Sequence, residues 1–367
     1  MDEAEDLPSG SVATANKEAI ERAFGTENRN RLIDLYFASV SDGNVTPSNA
    51  WSHVYRLLLW SDPTTGLAHC YESDKSQPGK PWYSRSLAFH DWVCSNLGVE
   101  PGMLGQEIDW LFVKACDDLA GAMLRREEKL ASIAAAQRLP YGDRGFPEPG
   151  ADPELAAMIR EAVEPYLAQE PPEQVWHTVT QRVRQFLAVQ NKRKNLVGEG
   201  FEDVLTQIVR RACGGDPASV RTRSLLYEIP GFNRAKQGGK ENKVDVAIIR
   251  PSMRTLVTAK WSVRADREKQ FTTDYDEYIN AESENRKFDY VFVTNEFDPA
   301  RLMRACESLH RNSLMFDQVV HINTDALQKT YAMEDRRLTS SQRRVIDYIN
   351  DGRLISLHQW LSNLSDQ

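Results

Sequence analysis

Asp245, Lys260 and Glu202 have the types and spacing that phosphodiester hydrolysis requires. Asp245 lies in the run KVDVAII and Lys260 in LVTAKWSV, two β-branched stretches bounded by turn residues. A period of two puts Val244, Val246 and Ile248 on one face of the first strand and Asp245 on the other. In the second strand Thr258, Lys260 and Ser262 share a face. Strands that point a carboxylate and a neighbouring lysine the same way set a charged pair against a cleft. Carboxylates there can hold a hard divalent ion, usually Mg²⁺, while a cation steadies the scissile phosphate and the attacking water. Glu202, on the helix before these strands, supplies a further carboxylate, with Glu199 one turn earlier as a substitute. The alternative for Asp245 and Lys260 alone is an ion pair that stabilises a sheet edge.

The residues after Lys260 carry a second kind of chemistry. In WSVRADR, Arg264 and Arg267 fall with Phe271 and Asp274 at steps of three and four, near one face of a helix. Arginines in a first turn oppose the helix dipole, so stability does not explain them. A guanidinium binds O6 and N7 of guanine bidentately, and a carboxylate accepts from the cytosine amino group. Arg264, Asp266 and Arg267 together can read two adjacent G·C pairs, and a symmetric dimer would read CCGG. The ordinary alternative is a solvated helix on which the arginines pair with Asp266 or Glu268.

The elements that must position these groups can be read from periodicity. Residues 30–40, 49–60, 85–98 and 106–137 space their apolar positions at three or four, as helices do. LPYGDRGFPEPGADP, 139–153, is a proline- and glycine-rich break. The expected division is a helical N-terminal domain at 1–138, a linker at 139–153 and a second domain at 154–367. Two helices follow the break, each with proline near its start, and GEGFEDVLTQIVRRAC is a third, amphipathic one. SLLYEIP, KVDVAIIRP, RTLVTAKWSV, KFDYVFVTNE and QVVHINT then read as strands, with a helix before and after the fourth. That order gives an α/β layer with a central mixed sheet flanked by helices.

Composition narrows the classes. With 367 residues, 41% hydrophobic and 27% charged, the chain reads as an ordinary globular protein with room for two domains. No apolar run reaches the length of a membrane span, and Met1–Gly10 is acidic rather than a signal peptide. The five scattered cysteines argue for a reducing cytoplasm. Net charge is −8, so any nucleic-acid contact must rest on local basic stretches. QRVRQFLAVQNKRKN is one, and Lys192, Arg193 and Lys194, with Ser262, are candidates for touching a DNA backbone. The loop NRAKQGGKENK lacks phosphate-loop spacing and reads as a hairpin turn. His310 and His321 read as structural, and Trp261 as core.

A glutamate on a helix, an aspartate on a strand and a lysine on the next strand resemble the PD-(D/E)xK nuclease superfamily. Gly198-x-x-x-Glu202 resembles its first motif and Val244-Asp245 its second. Thr258 stands where that pattern has an acid two residues before the lysine. Thr258, Lys260, Ser262, Arg264, Asp266 and Arg267 resemble the Lys-x-Ser-x-Arg-x-Asp-Arg segment of restriction endonucleases that recognise CCGG sites, whose missing acid is relocated to the following helix. The resemblance spans about residues 195–325 and makes Asp274 the relocated acid, with Asp276 and Glu277 as alternatives. It implies a PD-(D/E)xK core behind a helical N-terminal region. It also implies Mg²⁺ held by Glu202, Asp245 and Asp274, Lys260 in catalysis, and base reading by Arg264, Asp266 and Arg267. The implied activity is type II cleavage of double-stranded DNA at a CCGG-containing palindrome, leaving 5′ overhangs. Its implied setting is a cytoplasmic homodimer or larger homo-oligomer working beside a cognate DNA methyltransferase. Two other expectations stand beside it: a repair or mobile-element nuclease without fixed sequence, and a DNA-binding protein made inactive by Thr258.

Overall fold

The structure, a computed structural model, describes residues 11–40, 44–59, 83–122, 153–163, 171–213, 219–234, 242–251, 253–263, 268–332 and 338–365. These form two compact units. One comprises residues 1–29 with 114–196, the other 30–113 with 197–367. The grouping changes at 29/30, 113/114 and 196/197, whereas the sequence reading sets its boundaries at 138 and 154. Residues 139–152 of the expected linker lie outside the described residues.

The described residues of the first unit are almost all helical. The unit contains α1 (Ser11–Phe24) and the start of α2 (Thr26–Ser39). Among its described residues are also most of α6 (110–122), α7 (Pro153–Val163) and the first part of α8 (Glu173–Ala212). Ile20, Ala23, Phe24, Ala115 and Leu119 are buried at helical spacing, and Asn28 donates to Asp118 at 2.9 Å. Arg160 lies over the Trp176 ring at 5.3 Å.

The sequence reading breaks α8 into two helices, but it is one of 40 residues. No proline interrupts QNKRKNLVGEG, and a Cβ at Gly198 would meet nothing within 4 Å, so the helix tolerates this stretch. Its last part buries Phe201, Val204, Leu205 and Ile208, a single i, i+3, i+4, i+7 stripe.

The second unit is built on a six-stranded mixed sheet in the order β1-β2-β3-β4-β7-β8. The strands are β1 (Val220–Leu225), β2 (Lys243–Ile249), β3 (Arg254–Lys260), β4 (Asp289–Thr294), β7 (Gln318–His321) and β8 (Leu354–Ser356). β1, β2 and β3 pair antiparallel, and β3, β4, β7 and β8 run parallel. A two-stranded ribbon, β5 (Leu309–His310) and β6 (Ser313–Leu314), stands apart from the sheet.

Parallel neighbours need crossovers, and helices supply them: α9 (Glu268–Ala281) between β3 and β4, and α10 (Pro299–Glu307) between β4 and the ribbon that precedes β7. α11 (Thr324–Ala332) and α12 (Ser340–Asn350) lie between β7 and β8, and α13 (Leu357–Ser365) follows. α3 (Ala50–Leu58) packs on α13, α4 (Tyr83–Leu97) on α11, and α5 (Leu104–Glu107) follows a short 3₁₀ turn. The expected fold class, a central mixed sheet flanked by helices with a helical N-terminal region, is what the chain adopts.

One strand differs from the sequence reading. SLLYEIP was expected to be extended, but β1 ends at Leu225 and Leu226–Glu228 is a 3₁₀ turn. The Glu228 carboxylate accepts from the Leu225 backbone N–H at 3.1 Å and closes that turn, and Pro230 has no N–H to offer a ladder. Among the described residues no helix is long and apolar enough to cross a membrane.

Candidate active site

β2 and β3 set Asp245 and Lys260 by their register. The recorded ladder pairs Val246 with Val257 and runs on to Ile249 with Arg254. Asp245 therefore falls opposite Thr258, and Lys260 one diagonal step beyond it. Past Val257, where the ladder stops, the Asp245 side chain takes over as acceptor. Its Oδ2 receives the Ala259 N–H at 2.9 Å, the Thr258 hydroxyl at 3.3 Å and the Lys260 ammonium at 2.6 Å. Three donors on one oxygen hold the carboxylate in a single orientation. Both charged side chains keep some access to solvent, 17% for Asp245 and 27% for Lys260.

Glu202 comes to the same place from α8. The neighbouring positions Phe201 and Leu205 are buried, which turns Glu202 toward the sheet, and Lys260 Nζ lies 3.9 Å from its Oε1. Burial raises the Glu202 carboxyl to about 7, and repulsion from Asp245 adds to this against the pull of Lys260 and Arg223.

Asp274 arrives from α9, where Phe271 and Tyr278 are buried one turn to either side. It accepts from Asn242 Nδ2 at 3.2 Å. Burial lifts its carboxyl to about 6; the Asn242 hydrogen bond opposes this, Asp245 adds to it, and Lys260 opposes it. Glu202, Asp245, Lys260 and Asp274 thus form one electrostatic cluster.

The alternative acids sit differently. Asp276 bonds His310 Nε2 at 2.8 Å, and Glu199 is exposed and offers its carbonyl to Arg223 at 3.2 Å. Ser262 lies just past β3 and is half-buried. Lys192 pairs with Glu21, while the Arg193 and Lys194 side chains lie outside the described residues. Arg264, Asp266 and Arg267 also lie outside them. The segment they belong to follows Val263, whose N–H donates to Glu296 at 2.8 Å. Glu296, wholly buried after β4, also accepts from Phe297 at 3.0 Å, Asp298 at 2.8 Å and Arg301 at 3.3 Å.

Trp261 is buried and meets the Phe201 ring edge-on at 5.2 Å, the core position its alternation implies. His321 is buried between backbone groups of Glu296 and Asn323, and burial pushes it down to about 4.

Sequence reasoning missed two residues here, Asn242 and Arg223. Arg223 Nη1 donates to Glu202 Oε2 at 3.1 Å, and its Nη2 to Asp203 Oδ1 at 2.5 Å. Its backbone is left-handed, φ 48° inside β1, a conformation that costs a bulky residue about 1–3 kcal/mol. No residue-type signal announces this, because glycine or asparagine is the usual marker of such a position.

Carboxylate oxygens of this kind suit a hard cation such as Mg²⁺, and burial, with a smaller contribution from Asp245, is what raises the carboxyls of Glu202 and Asp274. Among the described residues no three acids lie in a metal-holding group. Lys260 occupies Asp245 Oδ2 and Arg223 occupies Glu202 Oε2, so each of those carboxylates already has a cation. The donor types, three carboxylates, fit a divalent ion.

No family model matches the chain, and no curated protein matches it. Among solved structures it is similar to the restriction endonuclease PspGI in complex with substrate DNA. The identity is 11%, the TM-score 0.34, and the match covers 81% of this chain and 97% of that one.

Proposed function

We propose that the chain is a Mg²⁺-dependent endonuclease that cleaves double-stranded DNA at a palindrome containing CCGG. The observation that carries this reading is the contact of Lys260 with Asp245 at 2.6 Å inside a cluster that also holds Glu202 and Asp274. Glu202, Asp245 and Asp274 would hold the ion. When bound, Mg²⁺ offsets charge on the phosphate and lowers the pKa of a coordinated water. Lys260 keeps an ammonium beside the scissile phosphate and orients the attacking water. Asp245, fixed by three donors on one oxygen, presents the rest of its carboxylate without reorganising.

Base reading falls to Arg264, Asp266 and Arg267, which follow Lys260 within seven residues of the sequence. As a type II enzyme with a palindromic site it would act as a homodimer or larger homo-oligomer, leave 5′ overhangs, and work in the cytoplasm beside a methyltransferase of the same specificity. Lys192, Arg193, Lys194 and Ser262 would touch the DNA backbone.

The test is to digest a plasmid of known sequence with Mg²⁺ and sequence the fragment ends. Discrete ends at CCGG-containing sites are expected. Ragged ends would retain a nuclease and remove the reading of Arg264, Asp266 and Arg267.

A second reading, a DNA-binding protein without catalysis, is favoured by one observation: Thr258 gives a hydroxyl to Asp245 where an acid would add a ligand. It requires tight DNA binding with no cleavage in Mg²⁺.

A further inference from the structure

Four described residues other than glycine have positive φ: Arg223, Asn285, Arg311 and Asn312. Arg311 and Asn312 turn the β5–β6 ribbon, where φ above zero is required, and asparagine tolerates it readily. Arg223 is different. It lies inside a strand, between the pairs Thr222–Val246 and Ser224–Val244, and so directly across from Asp245. Left-handed backbone within a strand breaks the alternation and re-aims the side chain. Here it directs the guanidinium at α8, where Nη1 binds Glu202 Oε2 and the Glu199 carbonyl, and Nη2 binds Asp203, whose side chain is only 2% exposed.

Holding β1 to α8 does not require this strain, because two other ties already do so. Arg210 donates to the Val220 carbonyl at 2.6 and 3.1 Å, and the Thr222 hydroxyl donates to Thr206 at 2.7 Å. What Arg223 adds is control over one carboxylate. With Oε2 and the neighbouring Asp203 clamped, Glu202 turns Oε1 toward Lys260, 3.9 Å away.

We propose that Arg223 is a positioning residue for the divalent-ion site: its guanidinium anchors Glu202 Oε2 against α8 so that Oε1 faces the cluster of Asp245 and Lys260, and the left-handed backbone at 223 exists to aim it. This rests on the reading of Glu202 as an ion ligand.

The test uses Mn²⁺ as the probe, with free ion measured by electron paramagnetic resonance in the full-length protein and no DNA present. Thermal melting is recorded beside it. Arg223→Gly removes the guanidinium and also relieves the backbone. Losing the ion pair to the buried Asp203 outweighs the relief of the backbone, so the variant is expected to melt below wild type but to stay folded, while Mn²⁺ affinity falls about tenfold or more, the usual effect of losing a group that orients a ligand. Arg223→Lys, which retains charge but not the two-pronged geometry, should fall between the two. In a Glu202→Gln background Arg223→Gly should change Mn²⁺ affinity no further, since it acts through Glu202.

Wild-type affinity in Arg223→Gly overturns the inference, as does an Arg223→Gly effect that persists undiminished without Glu202. A melting temperature far below wild type with unchanged Mn²⁺ affinity would make Arg223 a structural tie and also overturn it. Wild-type protein that leaves Mn²⁺ free is a separate result, and it removes the ion site itself.

Discussion

The Lys260 ammonium donates to Asp245 Oδ2 at 2.6 Å, diagonally across the end of the β2–β3 ladder. The same oxygen takes the Ala259 N–H and the Thr258 hydroxyl, so the carboxylate keeps two of its three donors when the ammonium is removed. Fold and function therefore separate at this pair. The part-exposed ion pair contributes only about 0–1 kcal/mol to stability.

Lys260→Met should accordingly melt within a few degrees of wild type while DNA cleavage in Mg²⁺ falls by about 10²–10³-fold, the scale of losing one preorganised electrostatic group. Melting curves and cleavage rates on the same preparations check this. A variant that cuts normally would make Lys260 a structural partner of Asp245 and nothing more.

The raised carboxyls give the protein a specific pH dependence. Glu202 titrates near 7 when folded against an ordinary 4.5, and Asp274 near 6 against 3.8. Both bind protons more tightly folded than unfolded, so their contribution favours folding below these values and is lost as pH rises through about 7. His321 works oppositely, because the unfolded chain gains its proton first as pH falls through 6.5. His321 and Asp274 are common to wild type and Glu202→Gln, so the difference between the two proteins from pH 8 to 6.5 isolates Glu202. In EDTA the wild-type melting temperature should rise across that interval, and Glu202→Gln should rise less. Parallel profiles would contradict the raised Glu202 carboxyl.

Gly231 sits at φ +86°, and a Cβ there would meet Arg254 Nη1 at 2.0 Å and Glu284 Oε2 at 2.9 Å. Arg254 cannot easily yield. Its guanidinium is buried, donates to Glu282 at 2.9 Å and to the Arg286 carbonyl at 2.8 Å, and lies over the Phe232 ring at 4.9 Å. Gly231→Ala should cost about 1–3 kcal/mol from the left-handed backbone alone. Chemical denaturation measures it, and a wild-type midpoint would show that the turn has other freedom.

Arg267→Ala tests base reading apart from catalysis. Losing one bidentate guanine contact removes about 1–3 kcal/mol of discrimination. Cleavage at the best site should fall while cutting at singly altered sites gains relative weight. Rates on a panel of oligonucleotide duplexes would show this; an unchanged ratio between sites assigns Arg267 to the solvated face of a helix.

How far the site could be read in advance follows from what each residue type reveals. Alternation in KVDVAII and LVTAKWSV puts Asp245 and Lys260 on one side of neighbouring strands, and the register does the same. Helical spacing around Phe201 turns Glu202 inward, as the burial pattern has it. Asn242 and Arg223 were not legible. The first meets Asp274 from outside any periodic run, and the second depends on a backbone angle that arginine does not advertise. The sheet's far edge was also missed. β8 has only three residues, Leu354–Ser356, too few for alternation to register, and it becomes a strand by pairing with β7. SLLYEIP misled because β-branched and aromatic content says nothing of the Glu228 carboxylate that closes a turn on Leu225.

The most direct test of the central claim is conversion of supercoiled plasmid to linear DNA by purified wild-type protein in Mg²⁺, with EDTA and the Asp245→Asn variant in parallel. Linear product in wild type with Mg²⁺ alone is the predicted result. Intact plasmid in all three reactions, from protein that is folded and binds DNA, would contradict it.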